Sequence, residues 1–297
     1  MAPVQISKFL SRTAQLYRVR DWKSAVGLAV LGWLTTGGRP AHLVTATATS
    51  ALLLAFSFAF NDICDARYTN ESTRLGELYR DQPEAATGVA ILPLVAAVLL
   101  LWTLPPRVAV AAAGFVLLTI QYSAPPFQLT ARPVLGTITN VISALLLILV
   151  GASSRPLTPA TVILILVYTW FFILAELLHQ VDDFDEDQAA GRSTLAIIIG
   201  PEQLHKILKI GCLAVSIVAA MTALFLPEIA VLLVVASLFN LLRVVRLNGL
   251  SPLELGDCRE RLFGTVEGLV YLIVLSIPLA GQSTQQVIPV LVGGGVG

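Results

Sequence analysis

Long apolar stretches recur along the chain and are separated by short polar connections. A stretch of about 20 apolar residues spans the hydrocarbon core of a bilayer as a helix. The in/out alternation that marks a transmembrane barrel is absent, so these stretches predict helices. The pattern therefore predicts an all-α integral membrane protein with about nine transmembrane helices, near residues 24–38, 42–60, 85–104, 107–123, 134–151, 158–178, 205–226, 228–245 and 262–281.

The composition agrees with a membrane protein and argues against a soluble one. Of the 297 residues, 56% are hydrophobic and 13% are charged, whereas a soluble domain carries about 25% charged residues. The formal net charge is zero, which argues against nucleic acid as a partner. Cys64, Cys212 and Cys258 have neither metal-ligand spacing nor a disulfide framework, so we interpret them as small apolar residues.

Basic residues are distributed unevenly between the two sides of the predicted membrane. With the N-terminus inside, 16 of the 19 Lys and Arg residues fall in inner segments, and the outer loops hold Arg39, Arg107 and Arg155. Connections rich in Lys and Arg stay on the cytoplasmic side. The distribution therefore predicts a multi-pass protein with a cytoplasmic N-terminus, an odd number of spans and cytoplasmic connections at 61–84 and 179–204.

The chain is predicted to form one transmembrane domain over residues 1–297. Residues 1–23 are polar and basic over too long a stretch for a cleavable signal, so we expect a cytoplasmic, interfacial segment there. Residues 282–297 are expected to form an outer tail.

Two of the predicted helices end in acidic clusters. The first cluster follows the second helix and the other follows the sixth; they contain Asn61, Asp62 and Asp65, and Asp182, Asp183, Asp185, Glu186 and Asp187. Asn61 and Asp65 are four positions apart, as are Asp183 and Asp187. Each pair therefore shares one face if its helix continues through the cluster. Two helix ends are predicted to aim oxygen ligands at each other.

The ligand types indicate a hard cation. Both clusters offer oxygen atoms, and His179 is a lone nitrogen ligand beside them. Mg²⁺ takes one or two carboxylates, keeps water ligands and shares phosphate oxygens with a substrate, a better match than Zn²⁺ or iron. Either cluster alone is equally consistent with a solvated acidic loop. Both together, on the same side, favour a functional site, because acids at a membrane edge are usually functional.

Three segments resemble the UbiA superfamily of membrane prenyltransferases. Asn61-Asp62-x-x-Asp65 is similar to the opening of its first acidic motif. The stretch DFDEDQAAGRSTL, which begins at Asp183, resembles its second motif, D-x-[DE]-x-D-x-x-x-G-x-x-T-L. The stretch QYSAPPFQL, at 121–129, is similar to its Tyr-Ser-x-Pro-Pro segment after the fourth helix. The resemblance covers nearly the whole chain.

The resemblance implies nine helices around a central cavity that opens laterally to lipid. It implies two Mg²⁺ ions that bridge the acidic motifs to the diphosphate of an isoprenoid donor, whose ionisation gives an allylic cation. The metal ligands that it implies are Asn61, Asp62, Asp65, Asp183 and Asp187. The catalytic residues among these are Asp65, Asp183 and Asp187. Candidate substrate-binding residues are Arg74, Tyr122, Arg132, His179 and Arg192.

Elementary chemistry leads to the same mechanism. A diphosphate is a poor leaving group until metal ions neutralise its charge. Breaking the C–O bond leaves a carbocation that water would quench, and a cavity walled by apolar side chains excludes water. The sequence therefore predicts Mg²⁺-dependent transfer of an isoprenoid group to a hydrophobic acceptor, either aromatic or lipid.

Departures from the family pattern leave other functions open. Thr69 stands where the first motif normally has a third acid, and Gln128 and Thr130 stand where basic residues often follow the Tyr-Ser-x-Pro-Pro segment. A terpene cyclase on the same scaffold would capture the cation with the substrate's own double bond. A carrier is the third hypothesis, because Glu176 and Glu267 fall in predicted helices, where acids relay protons. The clustering of the other acids at one membrane face argues against a carrier.

Overall fold

The computed structural model describes residues 12–22, 25–36, 40–68, 73–152, 158–189, 191, 193–225 and 230–249. Within these residues all regular secondary structure is helical. In chain order the α-helices are α1 (Val19–Trp22), α2 (Gly27–Thr36), α3 (Pro40–Tyr68), α4 (Arg74–Asp81), α5 (Pro83–Leu101), α6 (Pro106–Ser123), α7 (Pro133–Gly151), α8 (Pro159–Asp182), α9 (Phe184–Ala189), α10 (Leu195–Ile199), α11 (Pro201–Phe225) and α12 (Ala230–Asn248), with a 3-10 turn at Leu129–Ala131 before α7.

The helices follow the predicted spans from the first to the eighth. The first predicted span corresponds to α2, which is short, with 10 residues. Among the described residues, five helices are long and apolar enough to cross a membrane, namely Ala41–Tyr68, Pro83–Leu101, Pro106–Ser123, Pro133–Gly151 and Pro201–Phe225. The predicted ninth span and the predicted outer tail lie outside the described residues.

Proline marks the start of most long helices. The first residue of α3, α5, α6, α7, α8 and α11 is proline in each case. Proline suits this position because its missing N–H has no partner in the first turn and its fixed φ already fits the helix. The prolines therefore let the chain re-enter the membrane after a short connection.

The second span continues beyond the apolar stretch that predicted it. Helix α3 runs from Pro40 to Tyr68, so its last two turns carry the first acidic motif. A short amphipathic helix, α4, follows in the connection to α5, and the sequence pattern did not predict it. The Thr73 hydroxyl caps α4 by accepting a hydrogen bond from the Gly76 N–H at 3.0 Å.

Glycine allows α2 and α7 to pack with their backbones in contact. A side chain at Gly32 would overlap the backbone of Ile148, and one at Gly151 would overlap the carbonyl group of Ala29. Small residues at such a crossing are typical of membrane helices, whose association depends on close packing. This contact fixes α2 against the α7 helix that carries part of the polar site described below.

Large apolar side chains lie on the outer surface of the bundle as well as in its core. Those with at least half of their surface exposed include Leu92, Leu99, Val110, Ile210, Leu224 and Val245. In water such a surface would promote association, whereas in lipid it is the expected exterior. The chain is therefore an integral membrane protein.

Candidate functional site

The first acidic motif is held by hydrogen bonds at the end of α3. The Asn61 amide Nδ2 donates to Asp65 Oδ2 at 2.6 Å, which confirms that these residues share one helix face. The Ser123 hydroxyl, in the last turn of α6, donates to Asn61 Oδ1 at 2.8 Å. The C-terminal ends of α3 and α6 therefore meet at this motif.

Asp62 points to a different set of partners from its neighbours. It is 1% exposed, and Arg18 Nη1 lies 3.2 Å from its Oδ1. The Thr73 side chain also hydrogen-bonds to Asp62, and the Arg18 guanidinium lies 5.3 Å from the centre of the Phe58 ring. Asp62 thus ties the segment before α1 and the cap of α4 to α3.

Arg18 remains positively charged in this position. Partial burial by itself lowers the pKa of Arg18, but the hydrogen bond to Asp21 and the charges of Asp62 and Asp21 outweigh burial and raise that pKa above its usual value. The Arg18 backbone lies in the left-handed region, with φ at 50°. A non-glycine residue in that region is uncommon and is typical of sites held by their surroundings.

The second acidic motif continues the helical hydrogen bonding of α8 across the break before α9. The Asp183 N–H donates to the His179 carbonyl at 3.1 Å, and the Asp187 N–H donates to the Asp183 carbonyl at 2.8 Å. Asp187 is 4% exposed, and Asp185 is exposed. The predicted helical phase, with Asp185 turned away from the Asp183 and Asp187 face, agrees with this pattern.

His179 lies beside one of the motif acids. Its Nδ1 is 3.2 Å from Asp183 Oδ2, at the i, i+4 spacing of α8, and both side chains are partly exposed. A histidine in contact with a carboxylate orients it and, when protonated, supports its charge. The structure therefore pairs His179 directly with the second motif.

A polar network joins α7 to α8 inside the bundle, next to the second motif. Asn140 Nδ2 donates to Glu176 Oε1 at 2.9 Å. Gln180 Nε2 donates to Thr137 Oγ1 at 2.9 Å and to Glu176 Oε1 at 3.3 Å. The N–H of Leu195, the first residue of α10, donates to Gln180 Oε1 at 3.1 Å. This network fixes the end of the second motif to the membrane-spanning helices.

Tyr122 connects this network to the first motif. It is half-buried and adjoins Ser123, which contacts Asn61. Its hydroxyl interacts with the side chains of Thr130 and Asn140, and it lies within the electrostatic reach of both Glu176 and Asp65. The ends of α3, α6 and α8 and the start of α7 therefore lie at one end of the bundle, with Tyr122 close to both Asp65 and Glu176.

Two of the three predicted basic ligands are exposed, and the third lies outside the described residues. Arg74 is exposed at the start of α4 and its guanidinium donates to the Gln15 side chain. Arg132 is exposed and precedes the first residue of α7. Arg192 lies outside the described residues, as does Thr69.

Sequence reasoning did not identify Arg18, Ser123 and Asn140 as parts of the site. A polar residue within an apolar span was the available signal for Asn140, because such residues usually make contacts between helices. Ser123 falls in the Tyr-Ser-x-Pro-Pro segment, which was the available signal for it, whereas Arg18 carried no comparable signal. Their roles depend on which helices become neighbours, and spacing within one helix does not reveal that.

The donor atoms at this end of the bundle suit a metal ion shared with a phosphate. No group of three His, Cys, Asp or Glu side chains among the described residues is arranged to hold a metal ion. Asn61, Asp65, Asp183 and Asp187 instead offer oxygen atoms from two helix ends. Because Mg²⁺ uses one or two carboxylates when phosphate and water complete its ligands, this donor set fits Mg²⁺ bound together with a diphosphate.

Comparison with known proteins gives matches over most of the chain. The chain is 24% identical over 201 residues to a lycopene elongase/hydratase of Haloarcula japonica, covering 64% of this chain and 68% of the relative. A UbiA homolog from Archaeoglobus fulgidus bound to GPP and Mg²⁺ has a TM-score of 0.67 at 19% identity, covering 89% of this chain and 99% of that one.

A further solved structure, from work on digeranylgeranylglyceryl phosphate synthase in membranes, has a TM-score of 0.67 at 14% identity and covers 91% of this chain and 98% of that one. At these identities the structural matches establish the fold. A sequence model of the UbiA prenyltransferase family matches residues 24–254, which is most of the chain. The chain therefore belongs to the UbiA prenyltransferase family.

Proposed function

We propose that this protein is a Mg²⁺-dependent prenyltransferase, which transfers an isoprenoid group from its diphosphate to a hydrophobic acceptor. The observation that carries the proposal is two adjacent sets of polar contacts. One joins Asp65, Asn61 and Ser123, and the other joins Tyr122, the sequence neighbour of Ser123, to the α7–α8 network that reaches Leu195 at the end of the second motif. Family membership and relatives bound to GPP or DMAPP with Mg²⁺ support the same donor.

The metal ligands in this proposal are Asn61, Asp65, Asp183 and Asp187, around two Mg²⁺ ions. When bound, Mg²⁺ neutralises and orients the diphosphate, so that it becomes a better leaving group. Asp62 is already paired with Arg18 and Thr73. Its role in this proposal is to hold the segment that contains Arg18 in place beside α3.

The remaining residues of the site set the geometry before the substrate arrives. Ser123 holds the Asn61 amide, which in turn holds Asp65, and His179 holds Asp183. Groups fixed in this way need no reorganisation when charge develops, which is the main source of electrostatic catalysis. In this proposal the aromatic face of Tyr122, which lies near Asp65 and Glu176, stabilises the allylic cation.

The acceptor in this proposal is a membrane lipid rather than a water-soluble aromatic compound. The relatives named as a lycopene elongase/hydratase and a digeranylgeranylglyceryl phosphate synthase support a lipid class. The apolar exterior supports it too, because a lipid reaches the site laterally without crossing water. We further propose that the motifs face the cytoplasm, as the distribution of basic residues predicts.

The test uses the purified full-length protein in lipid nanodiscs with geranyl diphosphate, with and without Mg²⁺. We expect Mg²⁺-dependent release of diphosphate, and a prenylated lipid detected by mass spectrometry when a polar-lipid and carotenoid extract is added. If a cyclic hydrocarbon is the main product in Mg²⁺ both with and without the extract, the protein is a cyclase and not a transferase. No release of diphosphate at any Mg²⁺ concentration would contradict the proposal.

A further inference from the structure

An ionisable side chain, Glu176, lies inside the membrane-spanning part of α8, apart from the acids assigned to the metal. Carboxylates in this region are costly and generally serve function. Glu176 precedes Asp183 by seven residues, which is two helical turns on the same face, or about 10 Å along the axis. This distance leaves room for a diphosphate and its reacting carbon between the second motif and the Glu176 carboxylate.

The hydrogen bonds around Glu176 fix the orientation of its carboxylate. The Leu195 backbone N–H is only a donor, so the Gln180 atom that faces it must be the carbonyl oxygen. The Gln180 amide nitrogen therefore faces Glu176 Oε1, to which Asn140 Nδ2 also donates. Glu176 is thus an acceptor at Oε1, held by two amide groups from two helices.

Within the described part of the chain, no hydrogen bond reaches the second oxygen of the same carboxylate, Oε2. The side chain is half-buried rather than enclosed, so Oε2 is the oxygen that a further group can approach. Tyr122 lies within the electrostatic reach of Glu176 and also of Asp65. Glu176 therefore lies near Tyr122, on the face of α8 that leads to the second motif.

We propose that Glu176 is the base that accepts the proton released by the reaction, through Oε2. This inference rests on the proposed function. The donor C–O bond breaks and its electron pair leaves with diphosphate. A carbon–carbon double bond of the acceptor then supplies the electron pair that forms the new C–C bond to the allylic carbon.

The resulting cation loses a proton from the adjacent C–H bond to Oε2, and the C–H electron pair restores the double bond. The products are the prenylated acceptor, diphosphate and one proton on Glu176. The substrate class that follows is an acceptor that reacts at an alkene or aromatic carbon, because only such an acceptor must lose a C–H proton. An acceptor alcohol would lose its proton from oxygen instead.

A structural role for the network is the competing explanation, so the test needs a measurement that such a role leaves unchanged. With geranyl diphosphate and Mg²⁺ but no acceptor, the cation either loses a proton to a base and becomes a hydrocarbon, or takes up water and becomes an alcohol. The ratio of hydrocarbon to alcohol reports proton acceptance. Release of diphosphate reports ionisation and the integrity of the metal site.

We expect Glu176→Gln to keep diphosphate release within about threefold of the wild type and to lower the hydrocarbon-to-alcohol ratio by at least about 100-fold, the scale of general-base catalysis. Glu176→Asp keeps a carboxylate and should retain most of the hydrocarbon product. Thr137→Val is the matched control, because it removes the Thr137 contact to Gln180 and leaves both groups that hold Glu176 in place.

An unchanged ratio in Glu176→Gln would overturn the inference, as would a wild-type protein that makes only alcohols. A ratio in Thr137→Val that falls as far as in Glu176→Gln would also overturn it, since the network as a whole would then be responsible. Failure of the wild type to release diphosphate would reject the proposed function itself. Normal release with an unchanged ratio would reject the inference alone.

Discussion

At the scale of single residues, spacing predicted the pairs within one helix. Asn61 and Asp65 contact each other, and Asp187 is buried while Asp185 is exposed, as the four-residue repeat of a helix requires. Contacts between helices were not predictable in this way. Ser123 reaches Asn61 only because α6 ends beside α3.

Substitutions in the second motif test the helical phase. We expect Asp187→Ala to lower Mg²⁺-dependent diphosphate release by a factor on the order of 100 or more, the usual loss when one group that stabilises developing charge is removed. Asp185→Asn should lose less than about threefold, because its side chain lies on the exposed face. Initial rates at saturating geranyl diphosphate measure both variants.

Equal losses in the two variants would show that the assigned face is wrong. Folding is checked by thermal unfolding in detergent, where both variants should melt close to the wild type. Asp65→Ala should match Asp187→Ala, since it removes the partner acid on α3.

At the scale of elements, apolar length predicted the helices, and the structure begins most of the long ones at a proline. The continuation of α3 to Tyr68 and the presence of α4 lay beyond that signal, because the residues there are polar. The close crossing of α2 and α7 was also not predicted. A glycine in an apolar stretch does not indicate which other helix will pack against it. Only the tertiary structure shows that Gly32 and Gly151 face each other's helices.

The crossing can be tested with two matched glycine substitutions. Gly151→Ala places a methyl group against the Ala29 carbonyl, so it should lower stability by about 1–3 kcal/mol, the usual cost of overpacking. In Gly88→Ala the new methyl group meets no atom within 4 Å, and alanine favours a helix by about 1 kcal/mol over glycine. Thermal unfolding in nanodiscs measures both.

Gly151→Ala should therefore lower the Tm and Gly88→Ala should leave it unchanged or raise it. A Tm for Gly151→Ala equal to that of the wild type would show that α2 and α7 are further apart than described.

At the scale of the whole molecule, both acidic motifs lie at helix ends on one side of the bundle, and the distribution of Lys and Arg predicts that this side faces the cytoplasm. The orientation of the protein in the membrane can be tested at α5. Glu84 in its first turn and Thr103 just beyond its last residue are exposed on opposite sides of the apolar span. In a background with the three native cysteines replaced by alanine, we introduce a single cysteine at either position.

We expect a membrane-impermeant maleimide to label Thr103→Cys in intact cells and to label Glu84→Cys only after the membrane is opened. Labelling after detergent treatment is the control for reactivity at each site. The opposite pattern would place the motifs on the outer side and would reject the cytoplasmic assignment.

The sequence by itself determined the membrane environment, the helices and the chemical character of the site. These properties follow from local quantities: the length of apolar stretches, the distribution of Lys and Arg and the i, i+4 spacing of acids. The tertiary structure decided that Asp62 pairs with Arg18, that Asn140 holds Glu176 and that Ser123 holds Asn61. Those pairs join residues 36 to 62 positions apart, and only the packing of the bundle brings such residues into contact.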